Sequence, residues 1–247
     1  MTGRAKPWYE TAFEADYMQL YAHRDLESAR REVRWLLESG VGGRTLDLCC
    51  GFGRHSLAML ERGLEVWGMD LSMDLLASHG TLDGGDALAG RLVRADMRHL
   101  PYGTGAFESV VNLFSSYGYF GEGGDHDVLE EMGRVLAPGG LLVLDLMNPE
   151  RIRRELVPES HSQRDGFVMH EIRTLEDGGR RVCKQVRLVD PAGRERVWRE
   201  DVRMYGQEEM RTLLAPLGLR IEAAYGDFDG SPWTEAAPRQ LLFVRSR

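Results

Sequence analysis

The sequence predicts an α/β fold: a doubly wound, mostly parallel sheet of seven strands, with a small antiparallel β insert after the fifth. Three observations predict it. Short, nearly continuous apolar runs alternate with helical patterns up to residue 150, as expected of strands covered on both faces. Beyond residue 150, segments of partial period two are separated by EDGG and DPAG, which are hairpin signals. A helical pattern and two further apolar runs then close the chain.

The elements follow in order. DLESARREVRWLLESG sets Leu26, Ala29, Val33, Leu36 and Leu37 on one helical face, and Gly40 stops it. RTLDLCC is the first strand, and RHSLAMLERG is a helix ending at Gly63. LEVWGMD is the second strand, with Ser72 placed to cap a helix through MDLLASH. RLVRAD and AFESVVNLFSS are the third and fourth strands. A glycine-rich turn precedes the helix DHDVLEEMGRVL, and PGG breaks that helix ahead of the fifth strand, GLLVLDLM. FVMHEIRTLE, RRVCKQVRLV and RERVWREDVRMY form a three-stranded insert; EEMRTLLAPLG is a helix, and LRIEAAYGDF and RQLLFVR are the closing strands. The expected organisation is one domain over 1–247: a helical cap at 1–40, a core at 41–150, the insert at 151–204 and a closing helix and strands at 205–247. The insert lacks a hydrophobic inventory of its own, so it is expected to lie against the main sheet as a lid or wall.

At 247 residues the chain can bury one sizeable core. A net charge of −8, from 31 Lys+Arg against 39 Asp+Glu, argues against broad binding of polyanions. Cys49, Cys50 and Cys183 make no disulfide framework. The first residues hold no apolar leader, and no apolar stretch reaches the length of a membrane span. A cytoplasmic location without membrane attachment is expected.

LDLCCGFGRHS, residues 46–56, is the turn that must explain a ligand. A dinucleotide fingerprint needs a third glycine where Ser56 stands, and no phosphate loop is present. Asp47, in the strand that leads into the turn, would repel a pyrophosphate, so the turn suits a cationic ligand. Asp70, ending the second strand, can accept both hydroxyls of a ribose diol. Asp96, ending the third, can accept from an exocyclic adenine amine. S-adenosylmethionine, a sulfonium amino acid joined to adenosine, meets all three demands. NAD meets the ribose and adenine demands but not the first.

LDLCCGFG, GMD, RADM, NLFSS and above all RVLAPGG before an apolar strand resemble class I S-adenosylmethionine-dependent methyltransferases, throughout about 44–148. YAHRD, YGYFGEGGDHD, LMNPER and GDFDGSP resemble a bacterial, small-molecule-type branch with an antiparallel insert after the fifth strand. The resemblance implies a Rossmann-like doubly wound sheet. It also implies that Asp47 and the backbone around Cys49, Gly51 and Gly53 hold the methionine end of the cofactor. Asp70 takes the ribose, with Leu71 and Met73 against the adenine, whose edge meets Asp96 and Met97. Asn112, Leu113 and Phe114 line the pocket beside the reactive methyl. In that branch the insert and N-terminal helices cover the acceptor; Tyr21 would close over the cofactor, and Arg24 would reach its carboxylate. Cys49 and Phe52 depart from the small residue and threonine of many relatives.

Methyl transfer is an in-line displacement that needs alignment and exclusion of water more than charge stabilisation. A base matters only for a hydroxyl or protonated-amine acceptor. His126 and His170 are candidates for that role, weighed against ordinary packing, and His55 reads as structural or surface-facing. Tyr17 and Tyr21 share a helical face and could equally staple the cap to the core. Adjacent Cys49 and Cys50 read as buried small residues, and no metal is expected. Segment 151–204 holds thirteen Arg/Lys and ten Asp/Glu, which fits a solvated face or an anionic acceptor; Trp198 and Trp233 would suit a planar aromatic one. The expected activity is methyl transfer to an N or O atom of a small molecule. Transfer to RNA or protein, and cofactor binding without catalysis, stand as alternatives.

Overall fold

The computed structural model describes residues 6–13 and 25–247. Tyr17, Tyr21 and Arg24 lie outside the described residues. Helix α1 (Leu26–Glu38) begins where the Asp25 carboxylate accepts from Ser28 N–H at 2.8 Å, and it ends before Gly40 at φ 105°. Then come β1 (Arg44–Leu48), α2 (Arg54–Glu61), β2 (Glu65–Asp70), α3 (Met73–Ala77), β3 (Leu92–Arg94), β4 (Phe107–Asn112), α4 (Gly121–Val135) and β5 (Leu136–Leu146). The chain continues through α5 (Pro149–Glu155), β6 (Glu159–Arg164), β7 (Phe167–Glu176), β8 (Arg181–Val189), β9 (Glu195–Arg203), α6 (Gln207–Leu214), β10 (Leu219–Tyr225) and β11 (Gln240–Ser246).

The main sheet has seven strands in the order β10-β11-β5-β4-β1-β2-β3. Its β5-β4-β1-β2-β3 portion is parallel, and β11 is antiparallel to both β5 and β10. Alternation along the strands feeds two cores. Val110, Leu142 and Leu144 pack with Val128 and Met132 of α4 and Met210 of α6. Val111, Leu141 and Val143 pack on the other face with Val33 and Leu36 of α1 and Met59 of α2. Both faces are dry, which is why these strands read as unbroken apolar runs. The order reverses between β1 and β4, so their C-terminal ends open a crevice.

Four expectations are corrected. The insert has four strands, β6-β7-β8-β9. ESHSQR carries no apolar residue, so periodicity could not reveal β6, although its tight turn at Asp165 (φ 49°) and Gly166 (φ 81°) is the Asp-Gly hairpin type. A helix, α5, precedes it, with Asn148 capping Glu150 N–H and Pro149 in the first turn. Helix α4 starts at Gly121, so the glycine-rich turn is its first turn. A Cβ at Gly124 would stand 2.5 Å from that of Phe120, and the Asp125 carboxylate accepts from Phe120 N–H at 3.0 Å. The Pro-Gly-Gly turn lies within β5, as an irregularity in its pairing with β4, rather than ahead of the strand.

The insert also buries apolar groups of its own. Val186, Leu188 and Trp198 form a separate cluster with Ala12, against Trp8 and Phe13 of the N-terminal segment. Arg196 donates to Thr11 O, fixing the same contact. The N-terminal segment is thus the underside of the insert.

Ser56 replaces the third glycine of the fingerprint without pushing α2 off the sheet. The space is released from the strand side: a Cβ on Gly68 would meet Leu92 Cδ2 at 2.7 Å, Cys50 Sγ at 2.8 Å and Ser56 Oγ at 3.0 Å. We predict that Gly68→Ala lowers stability by about 1–3 kcal/mol through overpacking, read as a lower urea midpoint. An unchanged midpoint would show that this packing is slack.

Candidate active site

The crevice above β1, β2 and β4 is a cleft of about 1020 Å³, partly open to solvent. The β1–α2 turn builds its floor. Cys49 (φ 62°), Gly51 (φ 59°) and Gly53 (φ 87°) are all left-handed, which turns the backbone sharply before α2. Strand β1 ends at Leu48, so Cys49 and Cys50 belong to the turn, not the strand. Cys49 lies in the cleft wall with its thiol 3.5 Å from Met97 Sδ.

Asp70 ends β2 with each oxygen fixed by one backbone donor: Gly51 N–H at 2.8 Å on one, Ser72 N–H at 2.8 Å on the other. A carboxylate oxygen accepts more than one bond, so both can still receive a vicinal diol from the cleft. Burial raises its pKa against these backbone bonds. Asp96 is gripped by Arg98, through Nε at 3.0 Å and Nη2 at 2.5 Å. Burial raises the Asp96 pKa, but the Arg98 bonds prevail and hold it below the usual value. Arg98 in turn lies 4.3 Å over the ring of Phe120, another wall of the cleft. Asp47 is buried and accepts from Ser56 Oγ–H at 2.6 Å. The serine that breaks the dinucleotide pattern therefore orients the acid that disfavours a diphosphate.

Of the residues expected at the cofactor, Asp47, Cys49, Gly51, Asp70, Leu71, Asp96, Met97, Leu113 and Phe114 line the cleft. Gly53 does not: a Cβ there would meet Leu88 Cδ1 at 2.6 Å, so its bareness serves helix–strand packing. Asn112 does not either. It is fully buried beneath the cleft, its amide donating to Leu48 O at 3.1 Å. Met73 is largely exposed outside the cleft, and Leu75 lines it instead.

Several lining residues escape sequence reasoning. Arg54 and His55 are buried in the wall, correcting the surface reading of His55; its Nε2 lies 2.6 Å from Glu32 Oε2 on α1. Tyr9 and Phe13 arrive from the N-terminal segment, where Phe13 O accepts from Ser72 Oγ–H at 2.6 Å. An arginine and a histidine opening a helix right after Gly-x-Gly were the available signal. The other histidines lie elsewhere: His126 sits on α4 beside Glu130, and His170 is on β7 of the insert. Trp198 lies in the insert cluster and donates to Glu200 at 3.1 Å.

Phe114 is the partition between this cleft and a second cavity beneath the insert, which also shares Phe13 and Tyr119 with the first. Arg54 and Arg239 lie 4.2 and 4.3 Å from its ring centroid. Phe114 (φ 60°) and Ser115 (φ 58°) are consecutive left-handed residues, a conformation that costs about 1–2 kcal/mol each. Fully buried Asp145 holds them: its Oδ2 accepts from Phe114 N–H at 2.7 Å and Arg239 Nη1 at 2.8 Å, and its carbonyl from Ser115 N–H at 2.9 Å. The second cavity continues past Met147, Ile152 and Val202 into a third, and Lys184, 2.9 Å from Glu200, is common to both.

A pinned diol acceptor, an apolar wall and a buried acid at the glycine turn fit an adenosyl ligand with a cationic end. The comparisons agree. Residues 45–140 match a family model described as a methyltransferase domain. The chain is 37% identical over 144 residues to the demethylmenaquinone methyltransferase of Thermus thermophilus, covering 57% of this chain and 63% of that one. It is 29% identical over 199 residues to the dTDP-3-amino-3,4,6-trideoxy-alpha-D-glucopyranose N,N-dimethyltransferase of Streptomyces venezuelae, covering 75% and 78%. A solved S-adenosylmethionine-dependent methyltransferase of Clostridium acetobutylicum shares the fold, with TM-score 0.79 at 16% identity over 94% of this chain and 96% of that one. The chain spans about three fifths of the length of the first curated relatives it matches.

Two buried groups at the turn titrate in opposite senses. Burial pushes Asp47 up to about 6, against its bond from Ser56. Burial, with Arg54 beside it, pushes His55 down to about 4 despite Glu32. A raised carboxyl favours the native state at low pH, and that contribution is lost as pH rises through 6. A lowered imidazole contributes stability above its ordinary value of 6.5, lost as pH falls towards 4. The two nearly cancel in the parent. We predict that Asp47→Asn makes stability fall more steeply below pH 6.5, while His55→Gln makes it rise on acidification from 6 to 4. Each slope is on the order of 1 kcal/mol per pH unit, read by urea unfolding at stepped pH. Superimposable profiles for the three proteins would refute both assignments.

Proposed function

Because the chain belongs to the class I S-adenosylmethionine-dependent methyltransferase family, we propose that it transfers the cofactor's methyl group to an N or O atom of a small molecule, acting as a single methyltransferase domain. One observation carries the small-molecule reading. The cofactor cleft meets the second cavity at an aromatic collar of Phe13, Phe114 and Tyr119, and that cavity lies under the insert. A collar of this kind admits a slender acceptor and suits a nucleic-acid strand or folded protein poorly. The net charge of −8 points the same way. The amino-sugar N,N-dimethyltransferase among the relatives supports an amine as one acceptor class.

When bound, S-adenosylmethionine supplies a methyl group made electrophilic by the positive sulfur. The chain's residues supply position. Asp70 would hold the ribose diol, Leu71, Leu75 and Met97 the adenine faces, and Asp96 its amine edge. Asp47 would meet the cationic amino-acid end, with Arg54 in the same wall for the carboxylate. The collar of Phe13, Phe114 and Tyr119 excludes water from the line of attack. In the acceptor cavity Glu200, held by Lys184 and by Trp198 N–H, is a carboxylate that can orient an amine or take its proton. His126 and His170 take no part in this reading.

Calorimetry should give saturable binding of S-adenosylmethionine, weakened about 10–100-fold in Asp70→Ala, which loses two charge-assisted bonds. Binding should also release a proton near pH 6, as Asp47 ionises beside the cation, and Asp47→Asn should abolish that release. Undiminished affinity in Asp70→Ala would refute the ribose assignment. Ile152→Trp, which fills the acceptor cavity, should abolish transfer of labelled methyl to the small molecules of a cell extract while cofactor affinity stays within about twofold, less than 0.5 kcal/mol. Label appearing in RNA or protein instead would overturn the small-molecule reading.

A further inference from the structure

The outer face of the insert carries a cluster that methyl transfer does not use. Strands β6 and β7 pair antiparallel with His161 directly opposite His170. Glu159, two residues before His161, projects from the same face. The imidazole rings stack at 4.1 Å between centroids and 8° between planes. Glu159 Oε1 lies 2.7 Å from His170 Nε2 and 3.9 Å from His161 Nε2, and one donor atom from each residue falls within 4.8 Å of the others.

We propose that Glu159, His161 and His170 form a transition-metal site, of the zinc class, that staples β6 to the insert. Two imidazoles and one carboxylate suit zinc, copper or nickel and not magnesium or calcium, which take oxygen donors. Tetrahedral ligands at zinc distances stand roughly 3.3 Å apart. The present separations from Glu159 Oε1, 2.7 Å to His170 Nε2 and 3.9 Å to His161 Nε2, bracket that spacing. Three protein ligands leave a fourth position for water or for a group from outside the chain. Arg187, the cross-strand neighbour of His170 on β8, pairs with Glu195 at 2.6 Å and so adds no uncompensated charge beside the site.

The fold gives such a staple something to do. Strand β6 is an edge strand whose side chains are almost all exposed, so its ladder with β7 is what holds it. Ser160 of β6, with Leu156 and Val157 just before it, lines the third cavity. A metal bridging β6 and β7 therefore fixes one wall of the cavities beneath the insert. Glu171 and Lys184, on the inner face, are on the other side of the sheet and do not compete. The site is independent of the methyl-transfer reading.

The probe is Zn²⁺ with the full chain in calorimetry, and Co²⁺ for its visible ligand-field absorption. One ion per chain is expected, with a rise in Tm on adding Zn²⁺ and slower amide exchange in β6. His161→Ala and His170→Ala should each weaken binding at least ~10-fold, the lower end of what losing even a supporting group costs a metal site. His126→Ala is the control, because His126, Asp127 and Glu130 form a second cluster with a single imidazole. Absence of saturable binding, equal affinity in the His161→Ala/His170→Ala double variant, or loss confined to His126→Ala would each overturn the site. Binding without added protection of β6 would overturn the stapling role.

Discussion

The structure depends on keeping several carboxylates at one end of a dry sheet. Asp47, Asp70, Asp96 and Asp145 all stand at or just beyond the C-terminal ends of parallel strands. Burial there raises the cost of each charge. Each acid is met by a donor: Ser56 of α2 for Asp47, the Gly51 and Ser72 amides for Asp70, Arg98 of the same loop for Asp96, and Phe114 N–H with Arg239 for Asp145. Except at Asp96 these bonds cross between elements, so satisfying the acids also fixes the loops. The Asp70 carboxylate alone ties the β1–α2 turn to the start of α3. The binding cleft is what remains once these acids have found their internal partners, with Asp47, Asp70 and Asp96 in its wall.

The fourth acid works differently. Asp145 faces no cleft; it is spent on the backbone of Phe114 and Ser115 and on Arg239. Two consecutive left-handed residues without a glycine persist only where the surroundings over-determine them. What the strain secures is the place of one aromatic ring, with two guanidinium groups close to its centroid. Under the proposed function that ring separates donor from acceptor space, so a shift there would disturb alignment, the quantity methyl transfer depends on.

What could be read from the sequence was whatever rests on backbone demands. The strands were visible because both faces are apolar, and three of the acids because strand ends fall in order along the chain. Asp145, the fourth, was visible in the fifth strand too, but its partners, Phe114 and Arg239, are far from it in sequence, and no local pattern joins them. Gly53 and Asn112 sat in the expected motif, yet the bareness of Gly53 makes room for Leu88 and the Asn112 amide is spent on Leu48 O beneath the cleft. His55 carried the opposite difficulty: a polar residue opening a helix left structural and surface-facing readings both open, and the approach of Glu32 on α1 and of the Phe114 ring is what buries it. Strand β6 had no periodicity to find, because an edge strand with two wet faces needs none.

The division of labour between core and insert follows from where each finds its apolar partners. The glycine turn and the acids of the cofactor side come from residues 44–146, and the two cores beneath them close with α1, α6, β10 and β11 rather than with the insert. The insert closes over Ala12, Trp8 and Phe13 instead. Phe13 belongs both to that cluster and to the wall of the cofactor cleft, and its carbonyl holds Ser72, the cap of α3. The N-terminal segment is therefore the mechanical link between the two halves. A change in the strands of the insert can reshape the cavities beneath it while leaving Asp70 and the glycine turn untouched, whereas a change at Phe13 reaches both. Under the proposed function, selection for a new acceptor therefore has a route through β6–β9 that selection for cofactor binding does not oppose.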